Sequence, residues 1–156
     1  MIRDKGRRGN AIVEVTLLMP WILFLFLGIF NFGFYAYALI SVENAARAAA
    51  MYTAGSSALA GSGQIACNVV LEELRSLPGI GASSMCTFDG SAWTAGASGH
   101  IWVTARLLDA SAGQPGPDGA SAAEVAVTYR HPDNLLFSLP FLMGNRSFTR
   151  VVRMRL

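Results

Sequence analysis

The hydrophobic and polar positions change period along the chain. From Val15 to Val42 the sequence VTLLMPWILFLFLGIFNFGFYAYALISV carries no charged side chain. Such a run is longer than the roughly 20 residues that cross about 30 Å of hydrocarbon, so it predicts a spanning helix. Ser41 to about Ala54 continues with alanines, with Glu43 and Arg47 at i and i+4 and no breaker before Gly55. The same helix is therefore predicted to extend past the bilayer. The stretch GSSALAGSG, starting at Gly55, reads as a flexible break. Gln64 to Leu77 returns to a helical period, with Cys67, Val70, Leu71, Leu74 and Leu77 on one face and Asn68, Glu72, Glu73 and Arg75 elsewhere. This is a short amphipathic helix, ended by Pro78-Gly79.

Beyond it the period becomes two. His100 to Leu108 alternates Ile101, Val103, Ala105 and Leu107 against Trp102, Thr104 and Arg106. Ala123 to Tyr129 alternates Ala123, Val125, Val127 and Tyr129 against Glu124, Ala126 and Thr128. Both are half-buried strands, joined by a Gly-, Pro- and Ser-rich linker at 111–121. Ser147 to Leu156 sets Phe148, Val152, Met154 and Leu156 on one side and Arg153 and Arg155 on the other. The three strands predict an antiparallel sheet. Residues 132–144 are apolar and interrupted by proline; they read either as a loop over the sheet edge or core, or as a patch that touches the membrane or a neighbouring protein.

The expected fold class is α+β: a long N-terminal transmembrane helix running into a small body with a short helix and an antiparallel sheet. The organisation is a basic leader at 1–9, the spanning and extended helix at 10–54, and the body at 55–156. A chain of 156 residues has no room for a second domain.

Composition sharpens this reading. Only 14% of residues are charged and 53% are hydrophobic, more apolar than an ordinary soluble domain. Arg3, Lys5, Arg7 and Arg8 precede the apolar run against Asp4 alone, whereas Glu43 and Arg47 cancel after it. That asymmetry places the N-terminus in the cytoplasm and the body outside it. The run is also too long for the apolar core of a cleavable secretory signal, so the anchor is expected to be retained, with inner-membrane lipid as its partner. The net charge is only +2, with basic residues gathered at the chain ends, and no continuous basic face argues for nucleic acid.

Cys67 and Cys86 are the only cysteines. An even count in an extracytoplasmic body predicts one disulfide, stabilising by about 3 kcal/mol. His100 and His131 are the only histidines, and neither stands in a hydrolase or metal motif. His100 opens a strand, and His131-Pro132-Asp133 reads as turn chemistry. The sequence advertises no enzyme, metal site, cofactor or small-molecule substrate. Asn145-Arg146-Ser147 matches a glycosylation acceptor, a pattern that chance readily supplies.

Two residues of the helix need an explanation. Pro20 removes one helical hydrogen bond and crowds the carbonyl of Thr16, whose hydroxyl and neighbouring helices are candidates to re-satisfy the freed groups. Glu14 stands at the cytoplasmic edge, and a carboxylate carried to the bilayer centre costs on the order of 2.5 kcal/mol or more. One solution is snorkelling, or pairing with Arg7 or Arg8. The other depends on its context: residues 7–14 are Arg-Arg-Gly-Asn-Ala-Ile-Val-Glu, followed directly by the apolar run. This resembles a prepilin peptidase site, which implies cleavage between Gly9 and Asn10. Glu14 would then be the fifth residue of the mature chain, one helical turn from the new ammonium on Asn10, and could pair with it within or between subunits.

The longer stretch RRGNAIVEVTLLMPWILFLFLGIFNFGFYAYALISVENAARAAAMYTA, about a third of the chain, is similar to the N-terminal segment of TadE-like proteins, pseudopilins of the tight-adherence (Tad/Flp) pilus system. The matching features are the basic-Gly start, Glu14, Leu18-Met19-Pro20, Leu27-Gly28, Phe32-Gly33 and Asn44-Ala45-Ala46-Arg47. The resemblance implies a pilin-like, single-pass protein of the bacterial inner membrane with a periplasmic body. It implies maturation by prepilin peptidase, other pseudopilins and Tad assembly proteins as partners, and a minor role in an adhesive pilus. Val15 follows Glu14 where the major pilins carry Tyr, which argues against the main filament subunit. The alternative is an untrimmed, membrane-anchored envelope scaffold or binding protein.

Overall fold

The computed structural model describes residues 7–77, 80–81, 84–96, 99–116, 118–130 and 147–156, with side chains from Ile12 onward. It shows the α+β architecture: a long apolar N-terminal helix, two short helices and a five-stranded antiparallel sheet. Helix α1 (Arg7–Thr53) has 47 residues. At 1.5 Å per residue it is about 70 Å long. Its residues up to Tyr37 form one compact unit, and Ala38–Leu156 forms the other.

In the body, the C-terminal part of α1 buries Ala38, Val42, Ala45, Ala46, Ala49, Ala50 and Thr53. That spacing makes a one-sided stripe, and side chains of one or a few carbons let other elements approach the helix axis closely. Thr53 is the only polar residue among the described residues that is buried. Its hydroxyl donates to the carbonyl of Ala49 at 2.9 Å, so no buried donor is left unsatisfied there. The Arg47–Glu43 pair on the exposed side closes at 2.6 Å and adds only a few tenths of a kcal/mol, about 0.3–0.5 for such spacing.

The segment expected to be a flexible break instead holds a helical turn, α2 (Ser57–Ala60). Ser56, extended, accepts the N–H of Leu59 on its hydroxyl, and Ala60 is fully buried. A serine cap before Ala-Leu-Ala was a local helix signal that the surrounding glycines obscured. Helix α3 (Gly63–Leu74) buries Ala66, Cys67, Val70, Leu71 and Leu74, the predicted face. It stops three residues before Leu77: that residue is buried, but its N–H donates to Leu74 in a tighter turn. Pro78-Gly79, the predicted stop, lies outside the described residues.

The strands β1 (Thr87–Phe88), β2 (Trp93–Ala95), β3 (Ile101–Leu108), β4 (Ala122–Arg130) and β5 (Ser147–Arg155) pair in sequence order, each antiparallel to the next. The last three match the predicted strands, and their alternation holds. Ile101 and Val103 from β3 and Val125, Val127 and Tyr129 from β4 are buried on the inner face, with Phe148, Val152 and Met154 of β5 packed beside them. β1 and β2 had been missed because two or three residues cannot show a period. Their turn is set by Asp89, whose carboxylate accepts the N–H and hydroxyl of Ser91 and the N–H of Ala92, with Gly90 at a φ of 97°. Those bonds, the Ser91 N–H foremost, hold the Asp89 carboxyl below its ordinary value.

Gly63 has a packing role. A methyl group there would lie 2.4 Å from Cδ1 of Trp93. Gly63→Ala, which raises helix propensity by about 1 kcal/mol in an open helix, is expected to destabilise here by about 1–3 kcal/mol through overpacking. Chemical denaturation followed by tryptophan fluorescence reads the sign.

Tyr129 pairs across strands with Phe148, their ring centroids 5.5 Å apart. Burial pushes its phenol up to about 12 from 10.0. Its stability contribution is therefore complete below pH 10 and is lost as pH rises from 10 through 12. At 1.36 kcal/mol per unit this amounts to about 2–3 kcal/mol. Denaturation midpoints measured from pH 9 to 11.5 are expected to fall in wild type and to flatten in Tyr129→Phe.

A disulfide joins Cys67 in α3 to Cys86 ahead of β1, with Cα atoms 6.1 Å apart. The apolar segment at 132–144, with His131 and Asn145-Arg146, lies outside the described residues.

Candidate functional site: the N-terminal helix

From Ile12 to Tyr37 no residue of α1 is buried, and the exposed ones include Leu17, Trp21, Phe26, Ile29 and Phe32, each at least 67% exposed. These 26 residues rise about 39 Å at 1.5 Å each, enough for a hydrocarbon core of about 30 Å. An apolar surface of that extent is stable only against lipid or other apolar helices. By length and composition the helix is able to cross a membrane.

Pro20 sits inside this helix. The Thr16 hydroxyl donates backward to the carbonyls of Ile12 and Val13. A hydroxyl is a donor to the preceding turn and cannot reach its own carbonyl, so it does not replace the bond that Pro20 removes from Thr16; other groups must satisfy that carbonyl. Phe30 and Phe34, one turn apart, stack with centroids 5.8 Å apart, and an added methyl at either Gly28 or Gly33 would meet nothing. The two glycines thus leave shallow open places on the helix surface and pack against nothing among the described residues.

At the N-terminal end the backbone is helical from Arg7, through the Gly9–Asn10 bond. Gly is the weakest ordinary helix former, about 1 kcal/mol worse than Ala, so the first turn opens most easily at Gly9. Glu14 is exposed on the helix surface, four residues from Asn10 and therefore on the same face, one turn along. The side chains of Arg7, Arg8 and Asn10 lie outside the described ones.

The histidine expected to be structural, His100, precedes β3; its carbonyl accepts the Arg130 N–H at 2.7 Å, and its Nδ1 is buried without a partner among the described residues. Among the described residues no group of three His, Cys, Asp or Glu is placed to hold a metal. Sequence reasoning did not anticipate how fully the last four turns of α1 belong to the body. The signal was present in the alanines at 45, 46, 49 and 50, whose spacing marks a close-packed helix face.

Residues 9–51 match the model of the family described as TadE-like protein. The match opens at Gly9, spans Glu14 and the apolar run, and closes inside the part of α1 that packs in the body. No curated protein and no solved structure matches the chain.

Proposed function

We propose that this TadE-like chain is a minor pseudopilin of a tight-adherence pilus assembly system, cut by prepilin peptidase between Gly9 and Asn10 and anchored by α1 in the bacterial inner membrane. The observation that carries the reading is the coincidence of three features in one family-matched segment: a basic stretch ending in Gly9, a carboxylate at Glu14, and an apolar helix surface that begins at once and runs to Tyr37. The TadE-like match itself supports a membrane-anchored, Tad pilus-associated component.

The mechanism follows from electrostatics in lipid. Cleavage removes the basic leader and leaves an ammonium on Asn10. A carboxylate at the membrane edge stays ionised at low cost only beside a cation, and the Glu14 carboxylate lies one turn from that ammonium. Between neighbouring subunits the same pairing sets the axial register of one helix against the next. The body, beyond the membrane with its disulfide, supplies the surface for partner pseudopilins. No catalytic role is assigned to it.

The test is the mass of the N-terminal peptide from native cells, from cells lacking prepilin peptidase, and from a Gly9→Ala variant. The expected result is a start at Asn10 in the first only. An intact Met1-containing peptide in all three would overturn processing and favour the untrimmed anchored scaffold.

A further inference from the structure

The strand register lays out the outer face of the sheet row by row. Trp102 faces outward in β3 between Thr94 of β2 and Thr128 of β4, and Thr128 in turn pairs with Thr149 of β5. The hydroxyls of Thr128 and Thr149 are hydrogen-bonded at 2.8 Å, which leaves one O–H donor and the remaining lone pairs in the same row as the indole, itself partly exposed. One row away toward the end of β4 stands Arg130. Two rows away in the other direction are Arg106, Glu124 and Arg153, and beyond them Arg155.

Among the described residues four guanidinium groups thus share this face with Glu124, which Arg153 contacts at 2.7 Å, and with Asp118, which lies beside Arg153 and Arg155. Arg130 and Glu124 are six residues apart on one strand, about 20 Å at 3.3 Å per residue. Past Arg153 the β3–β4 connection folds over Ala122, which is buried beneath Gly116. It leaves a recess of about 60 Å³ lined in part by Asp118, Ser121, Arg153 and Arg155. The connection is held in place by the Asp109 carboxylate, which accepts the Ser111 N–H and hydroxyl.

This spacing selects the ligand. A single small anion is held where unpaired guanidinium groups converge; here Arg106 and Arg153 flank Glu124, Arg153 and Arg155 share their recess with Asp118, and Arg130 stands at the other end of the platform. A single-stranded nucleic acid is bound by successive aromatic side chains along a groove, whereas this face has one indole. A polymer with a carboxylate on each of its rings, apolar ring faces and many hydroxyls can meet all three parts along its length: carboxylates to the arginines, a sugar ring to Trp102, and sugar hydroxyls to the threonine pair. We propose that the outer sheet face binds an acidic polysaccharide, a polyuronate chain lying along the strands from Arg130 over Trp102 to Arg106 and Arg155. The proposal does not depend on processing at Gly9.

The test uses the full chain in detergent micelles over immobilised alginate, with neutral dextran and oligothymidylate as comparison surfaces. Alginate is expected to retain the protein and dextran to let it pass. Trp102→Ala is expected to weaken binding about tenfold, and Trp102→Phe, which keeps a stacking ring, by no more than about threefold. Arg106→Gln with Arg130→Gln is expected to weaken it about tenfold and to lessen its salt dependence. Circular dichroism and melting establish that each variant is folded; if Trp102→Ala does not fold, the arginine pair decides. Absence of alginate binding, insensitivity to the arginine pair, insensitivity to a folded Trp102→Ala, or equal binding to oligothymidylate would each overturn the proposal.

Discussion

Leu74→Ala is expected to destabilise the body by about 2–5 kcal/mol, the range for removing a leucine side chain from a packed core. Leu74 is fully buried and is among the largest side chains to be so. It closes α3, the helix that packs on β2 and β3, in the same cluster as Val70, Ile101 and Val103. Much of the rest of that core is alanine: α1 contributes Ala38, Ala45, Ala46, Ala49 and Ala50. Alanines are short and carried on a rigid backbone, so they cannot swing into a cavity left by the missing isobutyl group. The cost should therefore fall toward the upper part of the range. A domain of about 100 residues has only some 5–15 kcal/mol of stability to lose, about what this one change consumes in a marginal case. Urea denaturation of the full chain in detergent, read by far-ultraviolet circular dichroism, measures the change. Leu156→Ala, at a residue 39% exposed beyond the end of β5, is the control and is expected to stay within about 0.5 kcal/mol of wild type. Equal effects at the two positions would show that α3 does not seal the core.

How much of this was legible in the sequence depends on how far each signal extends along the chain. The spanning helix was plain because 28 successive residues without charge admit no other economical environment than lipid or a protein core. β3 and β4 were legible because seven residues in each, 101–107 and 123–129, alternate, and the structure buries Ile101 and Val103 of the one and Ala123, Val125, Val127 and Tyr129 of the other on the assigned side. β1 and β2 were not: strands of two or three residues exist because a neighbour, β3 for β2 and β2 for β1, offers a partner, and partnership is not a local property. The same holds for the body's share of α1. Ala45 and Ala49 have excellent helix propensity in any setting, and propensity alone accounts for them, so the face that their spacing marks with Ala46 and Ala50 is easily passed over. The candidate processing site divides likewise. Gly9, Asn10 and Glu14 are a local pattern, and the family match at 9–51 begins on its glycine. The partner of Glu14 depends on which chain end or neighbouring helix lies beside it, and a single sequence holds no such distance. The outer face was invisible for another reason: Trp102, Thr128 and Thr149 are separated along the chain and meet only through the register of three strands.

Loss of the Cys67–Cys86 bond is expected to cost about 3 kcal/mol, by the chain-entropy relation for a loop of roughly 20 residues. The closed segment has a sequence separation of 19 and includes most of α3, its end at Leu74 and the buried Leu77 and Ile80. Without the bond, the unfolded chain regains the freedom to separate these residues, while the folded body keeps its contacts. Cys67→Ala and Cys86→Ala should therefore lose similar amounts, with Cys67→Ala somewhat the worse because Cys67 is fully buried and Cys86 only in part. The double variant should lose little more than either single one, since each alone already removes the same cross-link. Reductant is expected to lower the wild-type midpoint to that of the double variant and to leave the double variant where it was. A wild-type midpoint indifferent to reductant would show that the bond contributes nothing beyond the packing around it. The same pair of cysteines reports topology in cells: a disulfide persists where the surroundings are oxidising. If the body lies outside the cytoplasm, a membrane-permeant thiol reagent applied under denaturing conditions, which expose the buried Cys67, will label neither cysteine before reduction and both after it. Labelling without prior reduction would place the body on the reducing side and would reverse the orientation read from Arg3, Lys5, Arg7 and Arg8.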